Sequence, residues 1–425
     1  MKILLKKILK NNTIKNGMWL YVLQMFNTVI PFLTLPYITR ILGADQYGVF
    51  SAALNLIGYF QVIVEYGFNL LGSRKVALLN KKEEMSELYT KIFLARLILS
   101  AISLSLLVIV VLLTGVSQLQ FYCMLILFFM VIGTGIQQVW LFQGLESMKF
   151  ITVLTVIIRT IFTILIFILI KNSSQVLMYS FLYSISFFLL GLISMFIANN
   201  NLNIKFVKIK ASSVYDILKE GWILFTTSAM TKIFTGIGIT ILQYTSTNAI
   251  VGSYTAIQKI PQMLVMLFFP LSQAIYPYLS KIFQNSFEEG LFKLKRITKS
   301  VMLLFICMGL VLILFRRPIV LLLYGSEYIK YVNILIPLVL WLLFSIFNNF
   351  LGTQFLVATG NVRRYSNAFK IGIVAMVSSN LILGYFFDIY GIAFAAMLGE
   401  FILTISLWKQ VNEVIMLKGD FHEKN

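Results

Sequence analysis

Long apolar runs recur along the chain, each ended by a short polar or basic stretch, and their length is that of a bilayer crossing rather than of a core helix or strand. They fall near 17–38, 46–70, 91–113, 119–142, 150–170, 176–198, 217–241, 249–280, 299–315, 331–357, 367–386 and 390–409, which predicts twelve spanning helices. The run 249–280 is long for one crossing and contains Pro261, Pro270 and Pro277, so kinks or an early exit are expected there. Pro318 is expected to begin a short extra turn over 315–325. Residues 1–16 carry five Lys among Ile3, Leu4, Ile8 and Leu9 and read as an uncleaved basic segment lying at the membrane interface.

Composition agrees with the pattern. Of 425 residues, 59% are hydrophobic and 12% charged, against about 45–50% and 25% in a soluble domain. A soluble protein is excluded, and twelve crossings leave no room for a large extramembrane domain. One His and two Cys remove most metal, disulfide and thiol chemistry; Cys123 and Cys307 lie in apolar runs, where buried structural thiols are expected.

The net charge of +19 is explained by topology. Assigning loops alternately to the two faces puts twenty-five Lys and Arg on the face that holds both termini and five on the other, Arg40, Lys171, Arg316, Arg317 and Lys330. Both termini are therefore expected in the cytoplasm. The basic residues are spread over seven segments without interleaved aromatics, so nucleic acid is not an expected partner.

A shift of 204 residues places Lys15 on Lys219, Gly17 on Gly221, Leu20 on Leu224, Gly48 on Gly252, Phe50 on Tyr254, Ser51 on Thr255 and Ala52 on Ala256. Two six-helix lobes related by a pseudo-two-fold axis along the membrane normal follow. The expected division is a basic N-terminus at 1–16, a first lobe over 17–198, a cytoplasmic linker over 199–216, a second lobe over 217–410 and a cytoplasmic tail over 411–425.

Catalytic motifs are missing. Gly43 and Gly48 have the phosphate-loop spacing, but Val49 stands where Lys is needed. Glu83, Glu84 and Glu87, beside Lys81 and Lys82, read as a solvated helix face rather than a metal site. The chain is expected to be a transporter and not an enzyme, with no cofactor.

The positive signal is charge inside the spans. Arg159, Lys232 and Lys259 each cost about 2.5–3.5 kcal/mol at the bilayer centre unless they face water or a partner. Against them stand Glu400, deep in the twelfth span, and Glu65, near the end of the second. The excess of cations suits an anionic substrate; pairing with Glu400, with carbonyls or with water, or snorkelling to an interface, is the structural alternative. Glu65 and Glu400 are candidate ion-coupling groups or charge partners. Arg96, a few residues into the third span, is expected to snorkel to the cytoplasmic face. Gln137, Gln138, Trp140 and Gln143 in span four, and Asn348, Asn349 and Gln354 in span ten, are candidate sugar contacts, though single amides also serve as interhelical glue.

Residues 27–77 carry a sharper signal: LPYITRILG at 35–43, YGVFS at 47–51, and EYGFNL with SRKVA at 65–77. The segment closely resembles the Wzx-type O-antigen and polysaccharide flippases of the MATE-like multidrug, oligosaccharidyl-lipid and polysaccharide exporter superfamily. It covers about one eighth of the chain in motif and the whole chain in layout. The resemblance implies an all-α, MATE-like inner-membrane protein that moves an undecaprenyl-pyrophosphate-linked oligosaccharide to the periplasmic leaflet. It further implies alternating access driven in some relatives by a proton or sodium gradient, and polysaccharide polymerase and other assembly proteins as partners. On that reading Arg40 receives the anionic head group near the periplasmic end, with Arg159, Lys232 and Lys259 deeper. Two alternatives stay open: a small-molecule exporter of the same fold, which should show an acidic interior, and a membrane glycan polymerase, which the short external loops disfavour.

Overall fold

The computed structural model describes residues 12–422, with side chains over 17–417 apart from Asn27 and Thr28. Most of the expected interfacial segment 1–16 and the last residues of the tail lie outside the described residues. Every regular element among the described residues is helical, without a strand. In chain order the helices are α1 (Asn12–Glu65), α2 (Phe68–Val76), α3 (Lys82–Thr114), α4 (Gln118–Ile136), α5 (Val139–Gly144), α6 (Met148–Leu169), α7 (Val176–Asn200), α8 (Ala211–Thr245), α9 (Asn248–Asn285), α10 (Phe287–Leu314), α11 (Arg316–Tyr324), α12 (Leu335–Asn349) and α13 (Val362–His422). Short 3-10 turns cover Ser173–Gln175 and Ser326–Ile334, and a π-helical stretch, Phe350–Val357, continues α12.

Ten helical stretches among the described residues are long and apolar enough to cross a membrane. Two of these contain one non-helical residue each, Gly43 in α1 (φ 73°, ψ 172°) and Asp388 in α13 (φ 50°, ψ −132°). Dividing α1 and α13 there raises ten crossings to the twelve expected. Glycine tolerates the positive φ at 43 without penalty. Asp388 has no such freedom, and the Ser246 hydroxyl donates to its carboxylate in compensation. Thr247, the extended residue between α8 and α9 (φ −78°, ψ 156°), stands 204 residues after Gly43. The repeat offset therefore superposes the two chain breaks as well as the side chains.

Other details refine the expectations. The proline-bearing run 249–280 forms one unbroken helix, α9, with all three prolines inside it. The extra turn begins at Arg316 rather than at Pro318, which occupies its first turn, where a missing N–H costs nothing. α3 starts nine residues before the apolar run as a polar prow on which Glu87 pairs with Lys91 at 2.7 Å, the solvated face expected there. Cys123 is buried 3.0 Å from Ser180, whereas Cys307 is exposed on the outside of α10, against expectation, because an apolar run facing lipid needs no burial inside the protein.

Contacts divide the chain into two units, up to Thr235 and from Gly236 onward, so that α8 contributes to both. In the first, α4 lies so close to α7 that a Cβ on Gly133 would stand 2.6 Å from the Phe187 backbone; small residues permit such approach where lipid supplies no hydrophobic drive. The second is built on aromatic packing: Phe268 and Phe283 of α9, Phe305 of α10, Ile346 of α12, Phe350 and Phe355 of the π stretch and Leu407 of α13 form one buried cluster.

Candidate functional site

Lys232 of α8 occupies a cradle on the second half of α1. Asn55, Gly58 and Tyr59 share one helix face there, at spacings of three and four residues. The Lys232 ammonium donates to Asn55 Oδ1 at 3.0 Å and lies 5.0 Å from the Tyr59 ring centroid. Gly58 makes room for it: a Cβ at that position would stand 2.8 Å from Nζ. A cation at membrane depth is thus held by an amide and an aromatic face, both of which offset part of its desolvation.

The same stretch of α8 displays a feature the sequence reading passed over. Thr227, Ser228, Thr231 and Thr235 are exposed around Lys232. Each threonine hydroxyl donates to the carbonyl one turn back, Thr227 to Ile223 at 2.9 Å, Thr231 to Thr227 and Thr235 to Thr231 at 3.0 Å, leaving its oxygen lone pairs outward. The signal was available as hydroxyl residues at i, i+4 and i+8 in the least apolar of the candidate spans.

Arg159 lies apart from this group, between α6 and α7, with its guanidinium 4.6 Å from the Phe187 ring centroid and its Nε buried without a hydrogen-bond partner. Arg40 is exposed near the break at Gly43. Lys259 is half-buried in a stretch of α9 whose preceding residues 251–258 are all buried, and it forms no ion pair among the described residues.

Arg96 corrects an expectation. It does not reach a surface but is 1% exposed. Its Nη1 donates to the Gln137 carbonyl at 2.9 Å, its Nη2 donates to Asn69 Oδ1 at 3.2 Å, and its guanidinium packs 5.8 Å from the Phe68 ring centroid. Asn69 in turn donates to Glu65 Oε1 at 2.8 Å. Snorkelling is defeated because two helix breaks meet here. Tyr66 and Gly67, both at positive φ, separate α1 from α2, and extended Gln137 ends α4 with a carbonyl that needs a donor. Glu65 thereby belongs to a structural network.

Nor do the proposed sugar contacts line an open path. Gln138 is buried, with its N–H donated to Ser194 Oγ at 3.1 Å and its side chain to the Ile136 carbonyl at 2.8 Å. Trp140 is wholly buried, its ring against Gly72 and Tyr89. Gln137 serves Arg96 through its carbonyl, while Gln143 is exposed. In the second unit Asn349 Oδ1 accepts from Ser272 Oγ at 2.8 Å, and buried Gln354 donates to the Ser272 carbonyl at 2.9 Å, which ties α9 to the π stretch. Amides at these positions satisfy helix ends and neighbours before any ligand.

Glu400 is buried at 5% exposure and has neutral partners. Asn348 donates to its Oε2 at 2.6 Å and to its backbone carbonyl at 3.0 Å, and Ser345 hydrogen-bonds to the carboxyl. No cation pairs with it among the described residues. The structure thus joins Glu400 to Asn348 and Lys232 to Asn55.

The comparisons bear on the whole chain. Residues 13–283 match the family model described as "Polysaccharide biosynthesis protein". A Shigella dysenteriae protein named "Putative O-antigen transporter" is 26% identical over 405 residues, covering 93% of this chain and 99% of its own length. An Escherichia coli protein of the same name is 30% identical over 286 residues, 66% of this chain and 68% of its own. Among solved structures, the lipid II flippase MurJ in an inward closed conformation superposes with a TM-score of 0.73 at 14% identity, covering 94% of this chain and 87% of that one. An inward-facing MATE multidrug transporter of the MOP superfamily gives 0.71 at 13% identity, covering 92% and 96%. Twelve crossings, the matched family model and these relatives together make the chain a multi-pass membrane transporter of the polysaccharide biosynthesis protein family, of the Wzx type.

Proposed function

We propose that this protein carries an undecaprenyl-pyrophosphate-linked oligosaccharide, an O-antigen or capsular repeat unit, from the cytoplasmic to the periplasmic leaflet of a bacterial inner membrane. The names of its relatives support the substrate class. The observation that carries the mechanism is Lys232, held at membrane depth by Asn55 and Tyr59 amid exposed hydroxyls of α8. A pyrophosphate must lose much of its hydration to cross a low-dielectric layer, and a positioned ammonium offsets that loss through a charge-assisted contact. The hydroxyl face beside it offers acceptors and small apolar methyls to sugar rings without demanding one hydroxyl pattern. Arg159 and Lys259 extend the positive character, Arg40 meets the head group near the periplasmic end, and Glu400 carries the coupling ion or proton. Both termini lie in the cytoplasm, and polymerase and other assembly proteins take the product.

The test is export in a strain lacking its own flippase and supplied with the matched glycan. Wild type should restore surface polysaccharide and lower the accumulated lipid-linked precursor. Lys232→Ala should cut restoration by about tenfold or more, the equivalent of one hydrogen bond to a charged group, with Lys232→Arg retaining part of it. Unchanged export in both Lys232→Ala and Arg159→Ala, at normal membrane levels, would sink the cationic path.

A further inference from the structure

α10 has two faces. On one, Gly290, Leu294, Val301 and Phe305 are buried, and α9 is so close that a Cβ on Gly290 would stand 2.4 Å from the Phe283 ring. On the other, Lys295, Arg296 and Lys299 are exposed, with Phe292 before them and Leu303, Leu310 and Leu314 after them. Steps of three, four and seven residues place these positions on one stripe. α10 is long and apolar enough to cross a membrane, and there the leucine part of the stripe faces acyl chains. Its cations therefore stand where the chains give way to head groups. Lys295 to Lys299 covers about 6 Å of axis at the helical rise, within the roughly 5–8 Å depth of one leaflet's head-group layer.

The first repeat treats the same helix start differently. At the 204-residue offset α10 corresponds to α3 and Lys295 to Lys91, while Lys293, Arg296 and Lys299 stand on Tyr89, Ile92 and Ala95. Those three residues of α3 are buried. The chain after α7 helps to cover that helix start: the Lys205 N–H donates to Ser86 Oγ at 3.3 Å and the Val207 N–H to Thr90 Oγ1 at 3.1 Å. Between them the Phe206 ring packs with its centroid 5.0 Å from that of Tyr89 and 4.8 Å from that of Phe93. Where α3 is solvated it carries both signs and pairs them, Glu87 with Lys91 at 2.7 Å and Lys81 with Glu84 at 3.9 Å. α10 has acids only in its first turn, Glu288 and Glu289, and its four cations form no ion pair among the described residues. Like charges three and four residues apart repel along a helix, so an anion among them is favoured. It must lie at the edge of the hydrocarbon, beside a face already in lipid, which is the place of a lipid phosphate. We propose that the start of α10 is a binding surface for anionic phospholipids, which it holds in preference to zwitterionic ones. The inference needs only that α10 crosses a membrane and does not rest on the flippase reading.

The test uses the purified full-length protein in vesicles of phosphatidylethanolamine and phosphatidylglycerol. Either lipid is supplied in part with a photoreactive group on the first carbons of an acyl chain, so that both head groups stay intact. At equal amounts, phosphatidylglycerol should label residues 292–303 at least fivefold more than phosphatidylethanolamine. Residues 88–99 of α3, the counterpart stretch, should show less than a twofold difference, and their labelling also reports that each variant is folded. The triple variant Lys295→Gln, Arg296→Gln, Lys299→Gln should bring the preference at 292–303 below twofold, whereas Lys295→Arg with Lys299→Arg should retain it. Equal labelling of 292–303 by the two lipids, or a preference undiminished in the triple variant, overturns the proposal. A third arm adds unlabelled undecaprenyl pyrophosphate at one tenth of the phosphatidylglycerol. Label that persists supports a phospholipid surface; label that is lost assigns the surface to a polyprenyl lipid and overturns it.

Discussion

Each unit interrupts one of its helices and buries an ionisable side chain beside the interruption, but the two are treated differently. In the first, the break at Gln137 is closed by Arg96, whose fork also holds Asn69 and, through it, Glu65. In the second, α12 gives way to the π stretch at Phe350, and the buried group is Glu400, whose carboxyl is held by Asn348 and Ser345. Arg96 has a carboxylate nearby and gives a donor from each Nη to backbone and amide, so it belongs to the scaffold. Glu400 has an amide and a hydroxyl that hydrogen-bond to it whether it is charged or neutral, and no cation pairs with it among the described residues. A π stretch inside an α-helix often marks a functional position, and this one adjoins Asn348. Burial alone does not distinguish structural from working charges; the identity of the partners does.

Loss of Arg96 should damage the protein most. Arg96→Ala removes the donor from the Gln137 carbonyl and takes away the cation linked through Asn69 to Glu65, in a site where breaking a buried charged network costs about 3–5 kcal/mol. Detergent-resistant unfolding should drop by that order, and export should fall with the folded fraction. Asn69→Ala, which severs the link to Glu65 but spares Gln137, should cost about 1.5–3 kcal/mol, the range for hydrogen bonds to charged groups. If Arg96→Ala were as stable as wild type, the clamp would have no structural role and Arg96 would return to the list of transport residues.

Glu400→Gln sharpens the other side. The amide is nearly isosteric and still offers Asn348 an acceptor, so stability should change by no more than the 0.5–1.5 kcal/mol of one neutral hydrogen bond. Export, in contrast, should fall and cease to respond when the proton gradient is collapsed. A variant that exports normally and remains gradient-sensitive removes Glu400 from coupling.

How much of this could be read beforehand depends on the residue. Twelve crossings, the repeat and the prow of α3 are written in periodicity, because lipid exposure forces a long apolar run whatever its neighbours do. The chain breaks at Gly43 and Thr247 were implicit in the 204-residue offset. Arg96 was misread since its sequence position gives depth but not the neighbour across the gap; only the meeting of α1, α3 and α4 supplies the Gln137 carbonyl. Trp140 and Gln138 were left between two readings for a related reason: an aromatic or amide inside a span looks the same whether it lines water or fills a helix contact. The threonine stripe of α8 could have been found, as spacing reveals it, but no single threonine is unusual enough to call attention to itself.

The smallest effect concerns an exposed charge pair, which completes the comparison. Lys75 of α2 meets Glu220 of α8 at 2.5 Å, with 35% and 47% of the two side chains exposed. Beside it Tyr66 stacks flat on Phe225, centroids 4.6 Å apart and planes within 5°. The stack excludes water, whereas the ion pair is exposed to solvent and weakened by salt, so the ring contact should carry more of the contact between the α1–α2 turn and α8. Phe225→Ala is expected to cost more than the 0.5–1.5 kcal/mol of the aromatic pair, because buried area is lost too. Lys75→Glu alone should cost about 0.2–1 kcal/mol, less at high salt, and the exchanged pair Lys75→Glu with Glu220→Lys should regain it. If the single charge reversal proved as damaging as Arg96→Ala, exposure would have failed as a guide to what a charge contributes, and the distinction drawn between scaffold and working charges would have to rest on geometry alone.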